Sequence, residues 1–173
     1  DYYPIELAKT ADLDPQRAFV FGYHPHGLLG IGASCAFGTD GRNFSTLFPG
    51  VRVTLMTLKA TFNVPFFREW ILAHGVSSCG RKTCITLLRS GESIAIVVGG
   101  AKESLESRPG TMKLYLKNRK GFVRVAIESG AYLVPCLGIG ENDAFHQLNN
   151  AKGTVVRSVQ DTLQRWLGFA IPL

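Results

Sequence analysis

The sequence predicts an α/β fold: a mixed, largely parallel sheet flanked by helices. Short β-prone runs alternate with longer segments whose apolar residues recur at helical spacing, and helix-length stretches separate successive strands. Residues 93–98 (SIAIVV) form an unbroken apolar run, as expected of a central strand covered on both faces.

Residues 18–23 (AFVFGY) read as the first strand, stopped by Pro25. Residues 27–37 are small and apolar all round, which predicts a buried helix. Residues 51–58 (VRVTLMTL) alternate as a strand. Residues 65–74 carry apolar side chains at helical spacing, with Gly75 placed to end the helix. A short helix follows over 82–89, then the strand at 93–98. Residues 121–129 (GFVRVAIES) predict an amphipathic helix ended by Gly130, residues 132–137 (YLVPCL) a strand, and 154–167 a last helix. No linker interrupts the pattern, so residues 1–173 are expected to be one domain.

At 46% hydrophobic and 18% charged residues, disorder is excluded, and the 19 glycines and 8 prolines are scattered rather than repeated. The net charge of +6 fits an anionic partner: a phosphate, a lipid surface or a nucleic acid. No nucleic-acid-binding pattern accompanies the charge, so nucleic acid is set aside. Cys35, Cys79, Cys84 and Cys136 contain no CxxC pair and read as reduced thiols, although the spacing of Cys79 and Cys84 would permit a bridge. The longest uncharged stretch, residues 18–39, is long enough to span a bilayer. It contains His24-Pro25-His26 and five glycines, and proline inside a helix costs about 3 kcal/mol, so no transmembrane helix is predicted. The chain carries no phosphate-loop, GxGxxG, GxSxG, HExxH or CxxC motif, and no metal site is expected.

The pentapeptide Tyr23-His24-Pro25-His26-Gly27 joins a predicted strand to a predicted helix, where α/β proteins place ligands. Pro25 stiffens the turn and Gly27 lets the backbone fold tightly. Two imidazoles on a rigid corner suit proton transfer from an alcohol. The competing reading is that one ring bonds backbone and the other decorates a loop.

The segment Phe21-Gly-Tyr-His-Pro-His-Gly-Leu-Leu-Gly30 resembles the signature of the type-2 diacylglycerol acyltransferase family, which includes monoacylglycerol and wax-alcohol acyltransferases. Further blocks resemble the family in order. They are Phe44-Ser-Thr-Leu-Phe-Pro-Gly50, Asn63-Val-Pro-Phe-Phe-Arg-Glu69, Val97-Val-Gly-Gly-Ala-Lys-Glu103 and Leu116-Lys-Asn-Arg-Lys-Gly-Phe-Val-Arg124. Leu133-Val-Pro135, Gly140-Glu-Asn-Asp143 and Phe145-His-Gln147 follow. The family's amino-terminal hydrophobic hairpin and carboxy-terminal blocks are not matched, so the resemblance implies a domain truncated at both ends. It also implies a core similar to that of the glycerolipid acyltransferases and transfer of a fatty acyl group from acyl-CoA to a lipid hydroxyl, diacylglycerol first. Monoacylglycerol, a wax alcohol and a non-catalytic acyl-CoA- or lipid-binding role are the alternatives. Acyl-CoA is then a co-substrate with no permanently bound cofactor. The implied setting is the endoplasmic reticulum membrane, with this domain facing the cytosol, or a lipid droplet.

Acyl transfer needs a base, a site for the oxyanion and a grip on CoA. His26 is the first choice of base because it abuts the predicted helix start, with His24 as competitor or support. The wider acyltransferases carry His-x4-Asp, but Leu29 and Ile31 stand at that spacing here, leaving the orienting partner open. Glu103, after the Gly99-Gly100 turn, is expected to orient a histidine, hold the acceptor hydroxyls or face a helix N-terminus. Glu141 and Asp143 are the nearest replacements for the missing Asp, and Glu141 and Asn142 are candidates for substrate binding, with a structural role the competing reading for Asn142. Arg68 resembles the arginine of the second acyltransferase block, facing CoA or pairing with Glu69 or Glu103. Six basic residues and no acidic one lie between Arg108 and Arg124. Arg119 and Lys120 are assigned to CoA phosphates, and Lys113 and Lys117 to solvent or a membrane surface. Gly27, Gly99 and Gly100 would let the backbone approach substrate.

Overall fold

The structure is a computed structural model that describes residues 4–148 and 153–167, with side chains to residue 163. Five strands form one sheet: β1 (Phe19–His24), β2 (Val53–Thr57), β3 (Ser77–Ser78), β4 (Ser93–Val97) and β5 (Tyr132–Leu137). Their order is β3-β2-β4-β1-β5. Every pairing is parallel, so the expected α/β fold with a largely parallel sheet is found, and the sheet is parallel throughout the described residues. Seven helices connect or flank the strands: α1 (Ile31–Phe37), α2 (Phe44–Leu47), α3 (Phe67–Ala73), α4 (Arg81–Arg89), α5 (Gly100–Glu106), α6 (Gly121–Ser129) and α7 (Val155–Leu167). Single 3-10 turns occupy Lys59–Asn63 and Glu141–Asp143.

The period-2 pattern of β1 sorts the core into two layers. Phe19, Phe21 and Tyr23 pack with Ala33 and Phe37 of α1 and Phe44 of α2. Phe21 lies 5.3 Å from Phe37 and 5.8 Å from Phe44 between ring centroids, a spacing favourable to aromatic pairs. On the other face Val20 and Ile94 pack with Cys84 and Leu88 of α4 and Val125 and Ala126 of α6. With helices on both faces, the inner strands β1 and β4 read as apolar runs. Pro135 sits in β5, an edge strand, where its missing N–H costs no ladder bond.

The helix expected from residue 27 begins only at Ile31. Gly27 (φ +60°) and Gly30 (φ +68°) are left-handed, and residues 27–29 form a turn that places four residues between His26 and α1. Gly75 and Gly130, both at positive φ, follow α3 and α6 as their sequence positions predict. The four cysteines are free, so Cys79 and Cys84 are not bridged. No helix among the described residues is long and apolar enough to cross a membrane.

Candidate active site

β1 delivers His24 to the C-terminal edge of the sheet, where its backbone carbonyl accepts the N–H of Gly138 at 2.7 Å. α5 approaches the same edge from β4 and presents Glu103, which is 2% exposed. Glu103 makes three connections. Its Oε1 and Oε2 lie 3.1 and 3.2 Å from His24 Nδ1, Oε1 accepts the backbone N–H of His26 at 2.6 Å, and Oε2 accepts that of Tyr115 at 2.7 Å. Burial favours the protonated carboxyl, but the bonds from His24, Tyr115 and His26 outweigh it and hold the group below the ordinary carboxylate range. An ionised carboxylate only accepts, so His24 Nδ1 carries the hydrogen. His24 Nε2 is buried and without a hydrogen-bond partner among the described residues. A Cβ on Gly99 would collide with the Glu103 carboxyl, which explains glycine there.

His26 stands differently. Its Nδ1 is 3.1 Å from the carbonyl oxygen of Gly27, so Nδ1 donates and Nε2 keeps its lone pair. The ring lines a cavity of about 240 Å³, walled by the His26–Gly30 turn, α1, the end of β2 and the start of α5. Burial pulls its pKa below the usual histidine value, opposed by the Gly27 carbonyl and by the charges of Glu103 and Glu141. The ring is neutral at neutral pH, the form a general base requires.

Glu141 holds the turn from the other end. Its Oε1 accepts the N–H of Ile31 at 2.9 Å, and its Oε2 accepts the N–H of Gly32 and the hydroxyl of Tyr23, both at 2.8 Å. Burial and the neighbouring Glu141 charge push the Tyr23 phenol well above its ordinary range, so it stays a donor. A Cβ on Gly27 would lie 2.5 Å from Glu141 Cγ, and Cβ atoms on Gly32 or Gly138 would strike the Tyr23 hydroxyl.

The expected site residues thus separate. His24, His26 and Glu103 come together, and Glu103 supplies an orienting partner, with its ring contact made to His24. Glu141 meets the start of α1 and Tyr23, and makes no hydrogen bond to His26. Asn142 is buried, accepting from Ser107 Oγ and donating to the Thr111 carbonyl, each at 2.8 Å. Of the three glycines only Gly100 lines the cavity; Gly27 and Gly99 make room for carboxylates. Arg119 donates to the Gly99 carbonyl at 2.9 Å, Lys120 is exposed at the start of α6, and Arg68 is exposed on α3 and pairs with neither Glu69 nor Glu103. None of these three cations lines the cavity.

Two further side chains brace the turn: Ser104, which its place beside Glu103 marks as a minor helper, and Tyr23. Ser104 donates to the Leu28 carbonyl at 3.0 Å, and its own carbonyl accepts from Gln147 at 2.8 Å. Tyr23 was visible in the pentapeptide, but only the pleat of β1 shows that it points to the face opposite His24.

The site is thus that of an α/β protein in which a buried carboxylate ties two histidines together at the C-terminal edge of a parallel sheet, one of them on a cavity. A family profile described as diacylglycerol acyltransferase matches residues 1–173, and the chain belongs to that family. It is 44% identical to diacylglycerol O-acyltransferase 2A of Umbelopsis ramanniana over 99% of this chain and 49% of the relative. It is 45% identical to diacylglycerol O-acyltransferase 2 of Dictyostelium discoideum over 100% of this chain and 53% of the relative. Identity to 2-acylglycerol O-acyltransferase 1 of Bos taurus is also 45%, over 100% and 52%. The chain therefore spans about half the length of these curated relatives. No solved structure matches it.

Proposed function

We propose that the protein transfers a fatty acyl group from acyl-CoA to the free hydroxyl of diacylglycerol, forming triacylglycerol, with His26 as general base. The reading is carried by the neutral His26 residue, which lines a cavity with its Nδ1 bonded to the Gly27 carbonyl while Glu103 anchors its backbone. His26 Nε2 takes the hydroxyl proton as the acceptor oxygen attacks the thioester carbonyl. The new C–O bond forms, the C–S bond breaks, and the departing CoA thiolate recovers the proton from the imidazolium. His24, fixed by Glu103, supports the turn and keeps the negative charge of Glu103 close to the developing imidazolium. No covalent acyl-enzyme is invoked. The 240 Å³ cavity is smaller than the roughly 300–1,000 Å³ of typical ligand clefts, so it takes the reacting ends and leaves the hydrocarbon tails outside it. Lys120 and the remaining N–H groups of Arg119 are assigned to the phosphates of CoA. The four free thiols suit a cytosol-facing site at the endoplasmic reticulum or a lipid droplet.

Monoacylglycerol is the second acceptor, favoured by the 45% identity to a 2-acylglycerol O-acyltransferase. The test is labelled acyl-CoA turnover by the full-length protein with mono- and diacylglycerols and wax alcohols, in wild type and His26→Ala. Loss of product by about 10²-fold or more, at equal protein level, is expected. Wild-type turnover by the variant removes His26 from the mechanism, and acyl-CoA binding without transfer by the intact protein replaces the enzyme with a binding module.

A further inference from the structure

The segment from Leu58 to Leu72 exposes large apolar side chains at Leu58, Val64, Phe66, Phe67, Trp70 and Leu72. The 3-10 turn Lys59–Asn63 contributes Thr61 to the cavity wall and packs on α3. α3 buries Ile71 and turns a file of rings outward: Phe67 and Trp70 are stacked with centroids 5.7 Å apart, and Trp70 and His74 are 4.5 Å apart. Phe66, just before the helix, is 89% exposed and sits at φ +64°, a conformation unfavourable to a bulky side chain. Leu29 and Leu58, on the cavity itself, are exposed as well. Lys59 and Arg68 are exposed among these groups, and Arg68 makes no ion pair among the described residues. Glu69 is the one acid on the two elements.

We propose that Phe66, Phe67 and Trp70, continuous with Leu29 and Leu58, form a membrane-docking face that seats at headgroup depth in an anionic bilayer. Aromatic rings flanked by Lys and Arg are the chemistry of the interfacial zone, and α3, at seven residues, is far too short to span. The charge complements anionic lipid. The net positive charge of the face, Lys59 and Arg68 against Glu69, favours an anionic bilayer as its occupant. The inference rests on the proposed reaction for its direction: docking presents the cavity to the layer that holds the acceptor.

The test uses the full-length protein with Trp166 and any tryptophan outside residues 1–173 replaced by Phe, so that Trp70 is the reporter, and phosphatidylcholine vesicles with and without phosphatidylserine. The expected result is a blue-shifted Trp70 emission quenched by lipids brominated near the headgroups, strongest with phosphatidylserine. Phe66→Gly with Phe67→Ser should weaken vesicle binding at least about tenfold at unchanged circular dichroism, a factor equal to ~1.4 kcal/mol. Phe66→Gly alone should also leave thermal stability equal or higher, since glycine accepts the positive φ. Unquenched Trp70, unchanged binding by the double variant, or a concentration-dependent blue shift without vesicles (a second copy on this face) overturns the proposal. Docking without acyl transfer by the full-length protein leaves the face standing and removes the reaction; acyl transfer with Trp70 unquenched does the reverse.

Discussion

Glu103 on α5 and Glu141 in the turn after β5 both grip the His24–Gly32 segment, and each takes three donors. Glu103 holds an imidazole ring and the backbone of the second histidine, whereas Glu141 holds a phenol and the first two N–H groups of α1. Glu103 therefore fixes the chemistry-bearing half of the turn, and Glu141 the half that joins it to the helix. Two acids of similar bonding capacity should fail differently when altered.

The largest contrast is expected from Glu103→Gln against Glu141→Gln in the full-length protein. Gln at 103 places an NH2 among three donors, so at least one of them loses its acceptor or the His24 ring must change tautomer. Turnover should fall by about 10²-fold or more. Stability should fall by about 2–3 kcal/mol in urea, the scale of a lost buried bond to a charged group. Glu141→Gln keeps the ring contacts of both histidines and should cost about tenfold or less in turnover through misplacement of the turn. Equal activity losses would mean that the two acids do one structural job.

A sharper probe is Gly27→Ala. Its Cβ would meet Glu141 Cγ at 2.5 Å, and its φ of +60° strains any residue with a Cβ. Alone it should destabilise by more than the ~1–2 kcal/mol of a left-handed residue. In a Glu141→Ala background the collision is gone and only the backbone cost remains. The double-mutant cycle should therefore show coupling of about 1 kcal/mol or more. Additivity would place the Glu141 side chain away from Gly27.

The same contrast explains what could be read from sequence. The strands β1, β2, β4 and β5 and the helices α3, α4, α6 and α7 follow from apolar periodicity and glycine stops, which are local properties. α5 escaped because its buried residues are Glu103, Ser104 and Leu105 after a Gly-Gly start, so no apolar stripe marks it. β3 is two serines paired to β2, and nothing local distinguishes them from a loop. The delayed start of α1 was hidden because an apolar run containing glycines at 27 and 30 looks helical until a carboxylate 110 residues away is seen at its N-terminus. The histidine pair and Glu103 were legible as types at a sheet edge. Which ring Glu103 touches was not, because that depends on how β1 and α5 meet. Arg119 was read as a phosphate ligand from its basic neighbourhood, yet one of its nitrogens holds the Gly99 carbonyl that starts α5.

The smallest expected effects are those of pH, and they separate Glu103 and His26, two groups of the site whose pKa values are lowered. Glu103 is held below its ordinary value, so the unfolded chain binds the extra proton first. The stabilisation is complete above about pH 4.3, the unfolded glutamate value, and is lost as pH falls through the lower folded value. The urea-stability gap between wild type and Glu103→Gln should be constant near neutrality and close below pH 4. His26 is also lowered, by burial, so its neutral form persists below about pH 6.5. The acid limb of kcat/KM should accordingly fall with an apparent pKa under that value. Glu141→Gln removes a negative charge that favours the imidazolium and should move this limb lower still, while leaving the plateau rate within about tenfold of wild type. A limb that stays fixed in Glu141→Gln, or one lying above pH 6.5, would assign the titration to a ring other than the one on the cavity.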